Sequence, residues 1–378
     1  MESAPAEKFQ LAFEVLNRLT HEQNLTNKGI TKFSGESYVV DQMCGDTVDV
    51  DKTIVRTRYS NLGDRLDIYR YASDRFSEKS LSFKDKLLSG VYTIRKYPCP
   101  ICNNVDEWHL VVFSDEGFKW SVCKRCGLLQ QNCRLTPQAL KEFYRSGEYS
   151  EISMGGLVGE RAFTLEYESS SRYLDNLSNL GYDFSRLNVL DIGCGFGGTL
   201  LALKELGATV KGFDSDPQSV CFGQNYVKEI EVGDALDFNH DLSKYNLILL
   251  NNIIEHLSCP VEFLLRLREK IKNSNVQVFI DVPNLEGAHS YYHNPDNNYI
   301  IEFLHLSHIW YFTSVSLERL LNQVGFRVTY INNRGAAMTV LCSKSESLIS
   351  NNNNSLILSL SSIDYGNHKF QKSKQKDN

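Results

Sequence analysis

No stretch of this sequence is long and apolar enough to cross a bilayer. The longest uncharged, mainly apolar run, Tyr245 to Ile254, falls well short of the ~18 residues such a helix needs. The opening residues, Met1 to Glu7, lack the basic start and apolar stretch of a secretory signal, so export is not expected. Surplus positive charge is missing as well: 40 Lys and Arg against 46 Asp and Glu leave a net charge of −6, which excludes a generally basic nucleic-acid binder. No internal repeat is present. Of the 10 cysteines, Cys44, Cys133, Cys194, Cys221, Cys259 and Cys342 are scattered without the spacing of a disulfide framework. That pattern fits a reducing cytoplasm, with metal favoured over disulfides.

What is present is enough apolar residue for a sizeable core: 42% of 378 residues, with 11% aromatic and 23% charged. At this length two domains plus appendages are expected. Residues 1–95 begin with a helical candidate, Phe9 to Leu19, followed by runs at Thr47 to Arg58 and Arg65 to Phe76 that carry no motif. Residues 96–150 hold two CxxC pairs and a short helix introduced by Thr136-Pro137. From Glu160 the pattern alternates helix and strand, with strands at Asn188 to Ile192, Thr209 to Phe213, Glu229 to Val232, Leu247 to Asn251 and Gln277 to Val282. Strands separated by helices call for parallel pairing in a doubly wound α/β sheet. The runs Arg327 to Ile331 and Met338 to Cys342 are close enough for an antiparallel hairpin. Residues 151–342 are thus read as one α/β domain, and 343–378, Ser/Asn-rich and Lys-ended, as a low-complexity tail.

Cys99-Pro100-Ile101-Cys102 and Cys123-Lys124-Arg125-Cys126 are separated by 20 residues. The spacing C-x2-C-x20-C-x2-C is that of a zinc ribbon, in which each pair forms a tight turn and four thiolates close a tetrahedron around one structural ion. Between Arg95 and Arg145, eight basic residues face five acidic ones, a balance too mild to favour nucleic acid as a partner.

The strongest signal is Val189-Leu190-Asp191-Ile192-Gly193-Cys194-Gly195-Phe196-Gly197-Gly198, a strand entering a glycine turn. Glycines serve where the backbone takes positive φ and where a ligand must approach the main chain, and in an open α/β sheet such a turn lies where ligands bind. The turn also matches G-x-G-x-x-G, so an NAD(P)-dependent oxidoreductase is the rival reading. Asp191 speaks against it, because a carboxylate there repels a pyrophosphate and favours a cationic ligand. Asp214, 21 residues after Gly193, suits ribose hydroxyls in either reading.

With Gly233-Asp234-Ala235 and Asn251-Asn252-Ile253-Ile254-Glu255-His256 at the next strand ends, the array resembles class I S-adenosylmethionine-dependent methyltransferases. The resemblance implies a Rossmann-like, mostly parallel sheet of seven strands ending in an antiparallel hairpin. It also implies that Asp191 and the Gly193, Gly195 and Gly197 turn hold the methionine part of the cofactor, Asp214 the ribose, Asp234 with Ala235 the adenine, and that Asn251 lines the sulfonium. The ribbon, together with Asp281-Val282-Pro283-Asn284 and His308-Ile309-Trp310-Tyr311-Phe312-Thr313, resembles a narrower group: zinc-ribbon methyltransferases of surface-polysaccharide and modified-sugar biosynthesis. That resemblance implies a small hydroxylated acceptor such as a nucleotide-linked sugar.

Methyl transfer mainly needs alignment, although an oxygen or carbon acid also needs a base near neutral pH. His308 and His256 are the candidates, with His305 third. Against these roles, His256 would cap the helix after the fourth strand and His308 would pack among aromatics. Tyr291, Tyr292, His293, Trp310 and Tyr311 are the candidate sugar-stacking wall. A ribbon-based binding module on a methyltransferase scaffold is the non-enzymatic alternative.

Overall fold

The computed structural model describes residues 83, 86–87, 89–105, 108–113, 119–123, 125–131, 133–149, 158–235, 241–273, 275–285, 307–334 and 337–345. The helix expected at Phe9 to Leu19, the runs before residue 77, Tyr291, Tyr292, His293, His305 and the Asn-rich tail lie outside the described residues.

The cysteine-bearing segment holds strands β1 (Ile94–Lys96), β2 (Trp108–Phe113), β3 (Lys119–Cys123), β4 (Leu129–Gln131) and β5 (Cys133–Leu135). β2, β3 and β4 pair antiparallel, and β1 pairs antiparallel with β5. Helix α1 (Pro137–Arg145) follows, started by Thr136, whose side chain accepts from the Ala139 amide, and by Pro137 in the first turn, where its missing N–H costs nothing. Ala139, Leu140 and Phe143 recur at helical spacing on its buried face, and Phe143 meets Phe83 and Tyr92 edge-on.

Helices α2 (Glu160–Ser169) and α3 (Ser171–Asn179) lead into β6 (Asn188–Ile192), α4 (Gly198–Glu205), β7 (Thr209–Asp214), α5 (Pro217–Gly223), β8 (Ile230–Val232), β9 (Leu247–Asn251), α6 (Pro260–Lys270) and β10 (Gln277–Pro283). After β11 (Trp310–Tyr311) come α7 (Ser314–Gln323), β12 (Phe326–Arg334) and β13 (Ala337–Lys344). Seven strands make the main sheet in the order β12-β13-β10-β9-β6-β7-β8. The five from β10 to β8 are parallel, and β13 and β12 add the antiparallel hairpin at one edge. The expected seven-stranded α/β sheet is therefore the observed one.

Alternation explains why the central strands read as unbroken apolar runs. In β9, Ile248 and Leu250 join one buried cluster while Leu247 and Leu249 join the other. Successive side chains leave opposite faces of a strand, and both faces of a parallel sheet are covered.

β11, from the far end of the chain, pairs antiparallel with β4. Packing therefore crosses the boundary expected near residue 150. Arg134 strengthens this junction: its buried guanidinium lies 4.2 Å from the Tyr97 ring and 4.3 Å from the Trp310 ring, and it donates to the carbonyls of Ser258 and Gln131.

Candidate active site

β6 delivers the chain into a turn whose three glycines, Gly193, Gly195 and Gly197, have φ of 76°, 55° and 83°. Two of them are fixed by space as well as by dihedral. A Cβ on Gly193 would lie 1.9 Å from Cδ1 of Ile253, and one on Gly195 would lie 2.3 Å from Oε1 of Glu166. The amides of Gly193 and Cys194 donate to the carbonyl of Phe213, tying the turn to β7. Glu166, which the sequence reading missed, comes from α2 and accepts from the amides of Phe196 (3.0 Å) and Gly198 (3.1 Å). A helix start that would otherwise receive a pyrophosphate is thereby filled by a carboxylate of the chain itself. Burial pushes the Glu166 carboxyl up to about 7, against the pull of those amides.

Around the turn the acids converge. Asp191 is 2% exposed and its Oδ1 has no hydrogen-bond partner. Burial, then repulsion from Glu166 and Asp214, holds its carboxyl well above the usual range. Asp214 accepts from the amides of Gly195 (2.9 Å) and Asp216 (2.8 Å), and burial raises it despite them. Both side-chain amide atoms of Asn251, at the end of β9, are buried without partners. A buried polar atom left unpaired costs about 1–3 kcal/mol, so two such residues on neighbouring strands mark a place built for a polar ligand. The turn, Asp191, Asp214 and Asn251 are thus brought together. Asp234 differs: its carboxylate is held 2.7 Å from Nζ of Lys141, on α1, so any adenine contact there competes with an ion pair. Ala235 beside it packs against the larger core.

Beyond β9 the chain turns sharply at Asn252 (φ 51°), whose amide donates to the Asp281 carbonyl. His256 does not cap α6, contrary to one expectation: the capping position is Cys259, which makes no side-chain cap bond. Instead Nδ1 of His256 lies 2.9 Å from the Ser307 carbonyl, and burial lowers its pKa to about 4. Its ring centroid is 4.8 Å from that of His308, whose Nδ1 is 3.2 Å from the Tyr311 hydroxyl. The loop before β11 is tied to this place, since the amides of Ile309 and Trp310 both donate to the Glu255 carbonyl. Tyr144 and Tyr149, contributed from α1 onward, meet His256 edge-on at 6.3 and 5.6 Å.

The aromatic wall is corrected in part. Trp310 is wholly buried, donates its indole N–H to the Leu257 carbonyl and stacks on Arg134, so it is core, not a sugar platform. Tyr311 is buried too and serves His308.

In the four-cysteine cluster, Sγ of Cys99 lies 3.4 Å from that of Cys126, and Sγ of Cys102 lies 3.4 Å from that of Cys123. These separations are too long for disulfides and near the about 3.8 Å expected between sulfurs placed tetrahedrally at about 2.3 Å from one ion. Each pair sits on a tight turn, with Asn103 and Gly127 donating to the carbonyls of Cys99 and Cys123.

Residues 165–331 match the family model for a methyltransferase domain. Over 103 residues the chain is 26% identical to the ubiquinone biosynthesis O-methyltransferase of Roseobacter denitrificans, covering 25% of this chain and 41% of that protein. Over 86 residues it is 34% identical to the ajmaline N-methyltransferase of Rauvolfia serpentina, covering 20% of this chain and 30% of that one. The chain thus spans well under two thirds of the curated relatives it matches. Among solved structures, the magnesium protoporphyrin IX methyltransferase of Synechocystis with bound SAH aligns with a TM-score of 0.41 at 15% identity, over 56% of this chain and 100% of that one. The matched region, residues 165–331, contains every strand-end residue of the acidic site. Glu166 is its second residue counted from the matched start and sits on a helix before the motif, where no local spacing points to it.

Proposed function

We propose that this protein is an enzyme that transfers a methyl group from S-adenosylmethionine to a small hydroxylated acceptor, such as a nucleotide-linked or polysaccharide sugar, in the cytoplasm. The observation that carries the reading is the pair of orphaned polar side chains, Asp191 and Asn251, beside a glycine turn whose amide donors are already taken by Glu166. Three carboxylates with no cation among them suit a ligand bearing ammonium and sulfonium charge and disfavour a pyrophosphate. The cofactor supplies an electrophilic methyl group; the rest is alignment.

In this reading Asp191 and the turn hold the amino-acid end, and Asp214 keeps its backbone amides while accepting from ribose hydroxyls. Asp234, released by Lys141, and Ala235 border the adenine, and Asn251 lines the reacting centre. His308 and His256 act on the acceptor hydroxyl, with Tyr144 and Tyr149 closing the pocket over them. A structural zinc held by Cys99, Cys102, Cys123 and Cys126 keeps the ribbon folded. The names of the similar O- and N-methyltransferases support methyl transfer to a small molecule.

The test is thermal. At a concentration one hundred times its dissociation constant, S-adenosylhomocysteine should stabilise the protein by about 2.7 kcal/mol, whereas NADH should not shift the melting temperature. A shift with NADH alone would overturn the reading. Asp214→Ala should weaken S-adenosylhomocysteine binding by roughly tenfold to a hundredfold, because a charge-assisted bond is worth about 1.5–3 kcal/mol; calorimetry reads this directly.

A pH dependence follows from Glu166. With its carboxyl raised to about 7, the site is partly protonated below that pH, and a cationic ligand must then expel a proton to bind. Affinity for S-adenosylmethionine should therefore rise as pH increases through 7, and Glu166→Gln should flatten the profile. An unchanged slope in that variant would remove Glu166 from the site.

A further inference from the structure

Glu255 is fully buried, at 0% exposure, and neither of its carboxylate oxygens has a hydrogen-bond partner. Its Oε1 is 3.9 Å from Nε2 of His256. Leaving a carboxylate buried and unpaired is among the costliest arrangements in a protein, and one remedy is a metal ion. We propose that Glu255, His256 and His308 form a divalent-cation site distinct from the ribbon. The ligand atoms these three residues offer all lie within 4.8 Å of one another. Small side-chain rotations would let a single ion sit about 2.0–2.2 Å from each of them, the distance nitrogen and oxygen ligands of zinc adopt.

The surroundings are those of a ligand set. A metal-binding imidazole characteristically engages a carbonyl or hydroxyl through its other ring nitrogen, which fixes the ring and its tautomer. His256 does so with the Ser307 carbonyl and His308 with the Tyr311 hydroxyl, both through Nδ1. Two imidazoles and one carboxylate leave coordination positions open, so the site is of the catalytic rather than the closed kind, and the set suits zinc, iron or manganese better than calcium. The role of such an ion rests on the methyl-transfer reading: it would bind the acceptor hydroxyl and lower its pKa, so that the proton leaves to solvent before the oxygen attacks the methyl carbon, the O–C bond forming as the S–C bond breaks and S-adenosylhomocysteine leaves. The site itself does not rest on that reading.

The experiment is equilibrium dialysis of the full chain, its ribbon metal retained, against zinc chloride, with elemental analysis. The wild type should bind two equivalents per chain and Glu255→Gln and His308→Gln one each, while Tyr311→Phe should weaken the second equivalent about 10- to 100-fold. Circular dichroism and the retained first equivalent report whether each variant is folded. One equivalent in the wild type, lost on Cys123→Ser, would overturn the proposal, as would two equivalents persisting in folded Glu255→Gln. Neither result bears on S-adenosylhomocysteine binding, which the thermal test measures separately.

Discussion

His308→Ala is expected to lower turnover by about 100-fold to 10,000-fold, the usual worth of a group that assists proton loss from an acceptor, while affinity for S-adenosylhomocysteine stays nearly constant. The separation follows from geometry. His308 lies against His256 and Tyr311, where the chain beyond β9 meets the chain before β11. The glycine turn between β6 and α4 draws its contacts from Phe213, Asp214 and Glu166 instead. If His308 only packed, the substitution would lower the melting temperature and spare the rate. Steady-state kinetics with an active acceptor, beside calorimetry with S-adenosylhomocysteine, distinguish the outcomes. Equal turnover would transfer the assignment to His256.

Cys123→Ser is expected to release one metal equivalent and unfold the ribbon, because structural zinc contributes on the order of 10–16 kcal/mol of apparent binding energy in small domains. The damage should reach His308. Trp120, in β3, donates its indole N–H to the His308 carbonyl, and the Gln131 amide donates to the carbonyl of Ile309. β4 also pairs with β11. Losing the ribbon removes the support of the segment that carries His308, so turnover should fall with the metal, whereas S-adenosylhomocysteine should still bind to the turn. Elemental analysis with parallel binding and rate measurements checks this, and full metal content in the variant would refute the four-cysteine assignment.

Local order fixed much of this protein. The apolar runs of β9 and β10, the glycine turn after Asp191, and the Pro137 and Pro260 helix starts all report structure within a few residues of themselves, because strand period, positive φ and helix caps are short-range constraints. The two CxxC turns belong to the same class. Hence the α/β order, the late hairpin and the convergence of four thiols could be anticipated from the sequence.

Only the tertiary structure decided which side chains face each other. Glu166 enters the glycine turn from a helix upstream, Lys141 claims Asp234 from the ribbon side, and Trp310 leaves the expected sugar wall to stack on Arg134. Glu255 looked like a neighbour of His256 and proved to be a fully buried carboxylate without a hydrogen bond. Each of these depends on the packing of segments tens to hundreds of residues apart. Burial, and with it the electrostatic character of a charge, is set by what packs around a residue, which its own sequence neighbours do not encode.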